Sequence, residues 1–271
     1  MKETVKVTEK HNEEPLIQEN RKSMFPSQMV ELPSKGLVYD LDNPLSKGFV
    51  EIKYMTAKEE DILTTESYIK TGVVLDKLLQ SLIVDPLVVR VYDQLLTGDR
   101  NALLIAARKY GYGEIYNFET DSPSGNKMQV SVNLDDLKSK PLFDETIFKN
   151  ANRFSFKLPI GGQYLEFRLL TIGDDKQITE RLKKYKTANG RDLQLTERLI
   201  KMIIAVDGAE EPIANKLFVE NMLAKDSRAF REYVSKIQPN VDMEIDLIDE
   251  ETGDSFRTPV TLGSSFFWPE L

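Results

Sequence analysis

Hydrophobic and polar positions along this chain follow two periods in turn, one near 3.6 residues and one of two, and each switch between them marks a change of element. Phe49-Val50-Glu51-Ile52-Lys53-Tyr54 predicts a strand. Thr56 and Glu59 then have the spacing of a capping box, in which hydroxyl and carboxylate satisfy each other's backbone N–H, so a helix is expected from about Ala57 through Leu63. Val74, Leu75, Leu78, Leu79, Leu82 and Ile83 recur at helical spacing and predict a helix over 73–84, which Asp85-Pro86 ends because the residue before proline avoids the α region. A shorter helix over 87–96 follows. Another is expected over 100–110, with Asp99 as its N-cap and Gly111 and Gly113 as its stop. The period then drops to two, so 114–119 and 128–134 are expected to form a hairpin around a long turn containing Ser122-Pro123-Ser124-Gly125. Residues 135–152 form a connector with one helical turn.

A similar order recurs. Strands over 154–158 and 163–170 flank Pro159-Ile160-Gly161-Gly162, helices are expected over 174–185, 195–206, 213–223 and 226–237, and strands over 243–248 and 255–262 close the chain. Matching landmarks stand at growing separations: 115 positions from Thr56 to Thr171, 122 from Asp85 to Asp207, 127 from Asp99 to Asp226 and 128 from Gly125 to Gly253. Separations that only grow are what a duplicated unit with insertions produces. The expected fold class is α+β, with two similar units over 29–150 and 151–263, each a helical bundle segment followed by a β-hairpin. Two unrelated α+β domains are the alternative. Residues 1–28 are expected to be a tail, disordered or ordered by a partner, which turns at Leu32–Tyr39 into the first unit; residues 264–271 form an aromatic C-terminal tail.

Composition narrows the chemistry. In 271 residues, 41% are hydrophobic and 30% charged, which suits a folded chain. No apolar run approaches the roughly 18 residues that cross a bilayer, and charges stand where a signal peptide has its apolar region, so no membrane partner is expected. The absence of Cys removes thiolate nucleophiles, disulfides and Cys-ligated metal, and fits a reducing compartment. The net charge is -8, and residues 241–271 hold eight acidic residues against Arg257 alone. The rest is nearly neutral, which gives little electrostatic attraction for nucleic acid.

The only His is His11, in the charged tail, so imidazole-based nucleophilic catalysis has no positioned base. Gly161-Gly162 and Gly111-Tyr112-Gly113 lack the context of a phosphate-binding loop and are expected to be turns. No catalytic, cofactor-binding or metal residue is therefore expected, and the chain is not expected to be an enzyme. Asp242, Glu244 and Asp246 alternate with aliphatic residues and share one strand face. That face is either solvated, guarding the edge by charge, or a site for a hard cation or a basic partner. Arg181, Lys183, Lys184 and Lys186 close a helix that Asp174 and Asp175 open, an arrangement the helix dipole favours and one that could also touch phosphate. Phe266-Phe267-Trp268 cannot all face one core from a strand, so these rings either fold back over a core edge or dock in a neighbouring subunit.

Several segments, taken in order and spacing, resemble the T4-like baseplate hub and hub-assembly proteins of contractile-tail bacteriophages. They are Leu32-Pro33-Ser34-Lys35-Gly36, Met55–Leu63, Gly98-Asp99-Arg100, Tyr110-Gly111-Tyr112 and Phe266-Phe267-Trp268. The resemblance covers about residues 30–271. Relatives often place a Cys-Pro-x-Cys-like turn where this chain has Ser122–Gly125, so any zinc role of that turn is not available here. The resemblance implies a non-catalytic protein of baseplate assembly, acting on other phage tail or baseplate proteins in the infected host cytoplasm, as a virion component or as an assembly chaperone. Phe266, Phe267, Trp268, Asp242, Glu244 and Asp246 are its expected partner-binding residues. A nucleic-acid-associated or regulatory binding protein, using the basic helix end at Lys183 and Lys184, is the alternative.

Overall fold

A computed structural model of the chain describes residues 25–149, 151–189 and 193–267. It opens on an antiparallel hairpin of β1 (Ser27–Glu31) and β2 (Phe49–Lys53), in which Val30 pairs with Val50 and Gln28 with Ile52. The strand at β2 is where the sequence predicts it. β1 is not predicted, and Ser27 and Gln28 belong to it rather than to a tail. The loop between them folds back tightly: a Cβ on Gly36, whose φ is +76°, would stand 2.7 Å from the backbone nitrogen of Gly48.

Helices α1 (Ala57–Thr64), α2 (Glu66–Thr71), α3 (Val74–Leu82), α4 (Pro86–Arg90) and α5 (Thr97–Tyr112) follow, then a hairpin of β3 (Ile115–Asp121) and β4 (Lys127–Asn133). The capping box at Thr56 and Glu59 is present. Asp85, expected only as the end of the preceding helix, caps α4, and the stretch predicted as one helix over 87–96 is split into α4 and a 3-10 turn at Tyr92–Gln94. The connector holds two 3-10 turns, Leu134–Asp136 and Glu145–Ile147.

Next comes a three-stranded sheet in the order β5 (Phe154–Lys157), β6 (Tyr164–Phe167), β7 (Ile203–Val206), with α6 (Ile172–Asn189) and α7 (Gln194–Met202) inserted between β6 and β7. The helix predicted over 195–206 thus ends at Met202. The apolar run Ile203-Ile204-Ala205-Val206 leaves it as a strand because β6 offers an open backbone edge, pairing Phe167 with Ile203 and Leu165 with Val206. α8 (Pro212–Glu220), α9 (Ala224–Ile237) and a final hairpin of β8 (Glu244–Ile248) and β9 (Ser255–Pro259) complete the chain. The molecule is α+β, as expected.

The buried side chains of both stretches form one hydrophobic cluster. Leu78, Leu79 and Leu82 of α3 and Leu103 and Leu104 of α5 are fully buried, and Phe167 of β6 meets Phe230 of α9 edge to face at 4.9 Å. The stretches also interlock: Ile172 N–H donates to Leu95 C=O (2.9 Å) and Lys140 N–H to Asn240 C=O (2.8 Å).

Candidate functional site

The acidic strand is β8, and its carboxylates are already spoken for. Asp246 faces Arg257 across the hairpin, and that one guanidinium reaches Asp246 Oδ1 through Nε (3.1 Å) and Glu244 Oε2 through Nη1 (2.9 Å). Asp242 lies just before the strand, with Lys140 Nζ 3.7 Å away. All three carboxylates are exposed or half-exposed, so these pairs are weak in water. They balance a solvated face. Among the described residues, no group of three or more His, Cys, Asp or Glu side chains is arranged to hold a metal ion.

The aromatic end takes the first of its two expected courses. Phe266 and Phe267 have no exposed surface. Phe266 meets Tyr116 of β3 edge to face at 4.8 Å, Phe267 meets Phe266 at 5.3 Å, and Arg108 Nε of α5 donates to the Phe266 carbonyl (2.9 Å). The expectation that these two rings anchor a partner is thereby corrected: the gap between α5 and β3 binds them within the same chain, because filling it removes two large apolar groups from water at once. Trp268, like His11, lies outside the described residues.

The two hairpins meet at their tips. Asp249, just beyond β8, accepts from the Ser124 N–H (3.0 Å), the Ser124 hydroxyl (3.1 Å) and the Glu251 N–H (2.9 Å). The N–H groups of Glu251 and Ser124 hold its carboxyl below the usual range. Ser122–Gly125 therefore does not rely on its own strands alone: Asp249 clasps it from the other hairpin.

Buried carboxylates elsewhere do a similar job. Asp99 stands in the first turn of α5 without capping it, contrary to expectation, since Leu96 is the N-cap. It accepts instead from the Ser34 N–H (2.9 Å) and hydroxyl (2.8 Å) and from the Tyr39 hydroxyl, in the loop between β1 and β2. Burial without a cation pushes its carboxyl up despite those bonds. Asp226 at the start of α9 likewise accepts from the Ile160 N–H and Gly161 N–H (both 2.8 Å), in the loop between β5 and β6. Glu59 accepts from Lys53, Ser81 and Thr56; burial raises its pKa, but those bonds outweigh burial and hold it at about 2. Asp174 makes a two-pronged pair with Arg168 (2.6 and 2.7 Å) and accepts from Thr171; again burial is outweighed, and its pKa is lowered. The Thr-x-x-Glu spacing at Thr56 and the Thr-x-x-Asp spacing at Thr171 announce part of this in the sequence.

At the basic helix end, Arg181 pairs with buried Glu197 (3.2 Å), while Lys183 and Lys184 are exposed. Among the described residues no helix is long and apolar enough to cross a membrane. The geometry braces one segment of the chain against another. A family model described as T4 bacteriophage base plate protein matches residues 31–268. No curated protein and no solved structure matches the chain.

Proposed function

Since the match spans most of its length, the chain belongs to the T4 bacteriophage base plate protein family, and we propose that it is a non-catalytic protein of the baseplate hub or of hub assembly. It acts by protein–protein contacts with other phage tail proteins, in the infected host cytoplasm during assembly and, if it is retained, in the virion. The single observation that carries this reading is the family match. The uses of Asp99, Asp226, Glu59, Asp174 and Asp249 support it, because each carboxylate is engaged in holding two segments of the chain together.

The same reading takes the two stretches as a duplicated unit presenting related surfaces. Lys53, Thr56 and Glu59 are joined in one brace, and Arg168, Thr171 and Asp174, each 115 positions later, are joined in another. Ile83, just after α3, bridges to Ile52 of β2, as Ile203, just after α7, pairs with Phe167 of β6. Asp99 and Asp226 each reach from the first turn of a helix to the loop of a hairpin. Those parallels support common descent of the halves.

Mass spectrometry of purified particles, together with a deletion of the gene, tests the functional reading. Presence in the particle makes the protein structural. Absence, with a deletion strain that builds no baseplates, makes it an assembly factor. Normal baseplates from the deletion strain would sink both.

A further inference from the structure

Among the described residues β1 is an edge strand with one side open. The bonds Tyr54 N–H to Pro26 C=O (2.9 Å) and Leu32 N–H to Gly48 C=O (2.9 Å) bracket its ladder, so the even residues Gln28 and Val30 point their backbone groups at β2. The N–H and C=O groups of Ser27, Met29 and Glu31 therefore point outward, and among the described residues they meet no backbone partner. Along its five residues β1 has no bulge, no proline and no lysine, and its one charge is Glu31 at its end. Elsewhere Lys157 stands on β5, and Arg257 and Pro259 on β9. On the solvent face of the same hairpin Met29 is 52% exposed and Phe49 43%, two large apolar side chains set diagonally across the ladder.

We propose that this edge pairs with the same edge of a second copy, antiparallel and centred on Met29, so that two β1–β2 hairpins form one four-stranded sheet. The outward groups suit that symmetry. A two-fold axis at Met29 sets Met29 against Met29 of the second copy and Ser27 against its Glu31, so every outward N–H and C=O finds a partner. Charge also fits: the two Glu31 carboxylates are sent to opposite ends, and each faces a hydroxyl rather than its like. The two Met29 side chains and the two Phe49 rings then join into one apolar stripe across the sheet. This stands apart from the family reading, since a phage baseplate role needs no self-pairing, and its failure would leave that reading untouched.

The full chain contains no Cys, so a single Met29→Cys thiol is a clean probe. In the proposed pairing the two Cα atoms at position 29 stand about 5.5 Å apart, within the span of a disulfide. Mild oxidation should link Met29→Cys chains rapidly, while an Ile213→Cys control, at an exposed site on α8, should link only slowly. Sedimentation of the unmodified chain should show a concentration-dependent dimer, and Met29→Lys, which sets two cations face to face, should weaken it by about tenfold or more while the melting temperature stays unchanged at concentrations low enough that both chains are monomeric. A chain that sediments as a monomer throughout, or a dimer indifferent to Met29→Lys, overturns the proposal. In a monomer, a position-29 thiol shielded until residues 1–24 are removed would assign the edge to the chain's own N-terminal segment; a freely reactive one would leave it to a strand of another protein. Both outcomes overturn self-pairing.

Discussion

Truncating Phe266 to alanine removes a ring with no solvent exposure that contacts Tyr116 at 4.8 Å and Phe267 at 5.3 Å, both edge to face. The bond from Arg108 ends on the Phe266 backbone carbonyl and survives the change, so the loss is confined to packing. Removing a fully buried phenyl costs about 3–5 kcal/mol, the lost transfer free energy plus the cavity left behind. For a chain of this size each kcal/mol shifts the melting temperature by about 2–4 °C, so a fall of about 10 °C is expected. Thermal unfolding of the full chain followed by circular dichroism reads this directly. Leu217→Ala is the reference: Leu217 is 59% exposed on α8, and its loss should move stability by about 0.5 kcal/mol or less. If Phe266→Ala melts with the unmodified chain but no longer associates with tail proteins, the aromatic end serves a partner, and its assignment to the chain's own core is wrong.

Glu59 makes stability depend on acidity. Its pKa is depressed from 4.5 to about 2, so the stability it contributes is fully present above 4.5 and lost as pH falls through about 2; lowered Asp174 works in the same direction. Urea midpoints should therefore fall on going from about pH 6 to about pH 3, less steeply in Glu59→Gln, and parallel curves for the two proteins would refute the assignment. Gly98→Ala inverts a general rule. Alanine normally stabilises a helix by about 1 kcal/mol over glycine, but here its Cβ would strike the Pro239 carbonyl and stand 2.7 Å from Asn240 Cα, backbone atoms that cannot swing away. A loss of about 1–3 kcal/mol in urea unfolding is expected, and a gain would show that residues 239–240 do not lie against α5.

The features legible in the chain are those set by near neighbours. Thr56 and Glu59 stand three residues apart, and the helix they begin forms because each satisfies the other's N–H. The apolar spacing of α3 predicts its buried face, and Gly125 and Gly253, at φ of +87° and +74°, mark the two hairpin turns. The acidic alternation of β8 is equally plain, although the cross-strand role of Arg257 waits on the register. The family resemblance, too, is carried by residues that can be quoted from the sequence.

Other features depend on partners far along the chain. Ile203–Val206 has no local reason to abandon the helix before it; β6, about forty residues earlier, offers the edge that turns it into a strand. β1 is a strand because β2 pairs with it across a seventeen-residue loop, a separation that leaves no local mark. Asp99 has the residue type of a helix cap, but α5 already starts at Thr97, and the N–H of Ser34, 65 residues away, engages its carboxylate. For Phe266 and Phe267 the sequence leaves two courses open, core edge or neighbour, and the gap between α5 and β3 decides between them. The sequence by itself therefore determines the elements whose signals are local and the residues able to cap, turn or bury. Only the tertiary structure decides which backbone edge, amide or cavity each of them meets, because those partners are brought near by the fold and not by the chain.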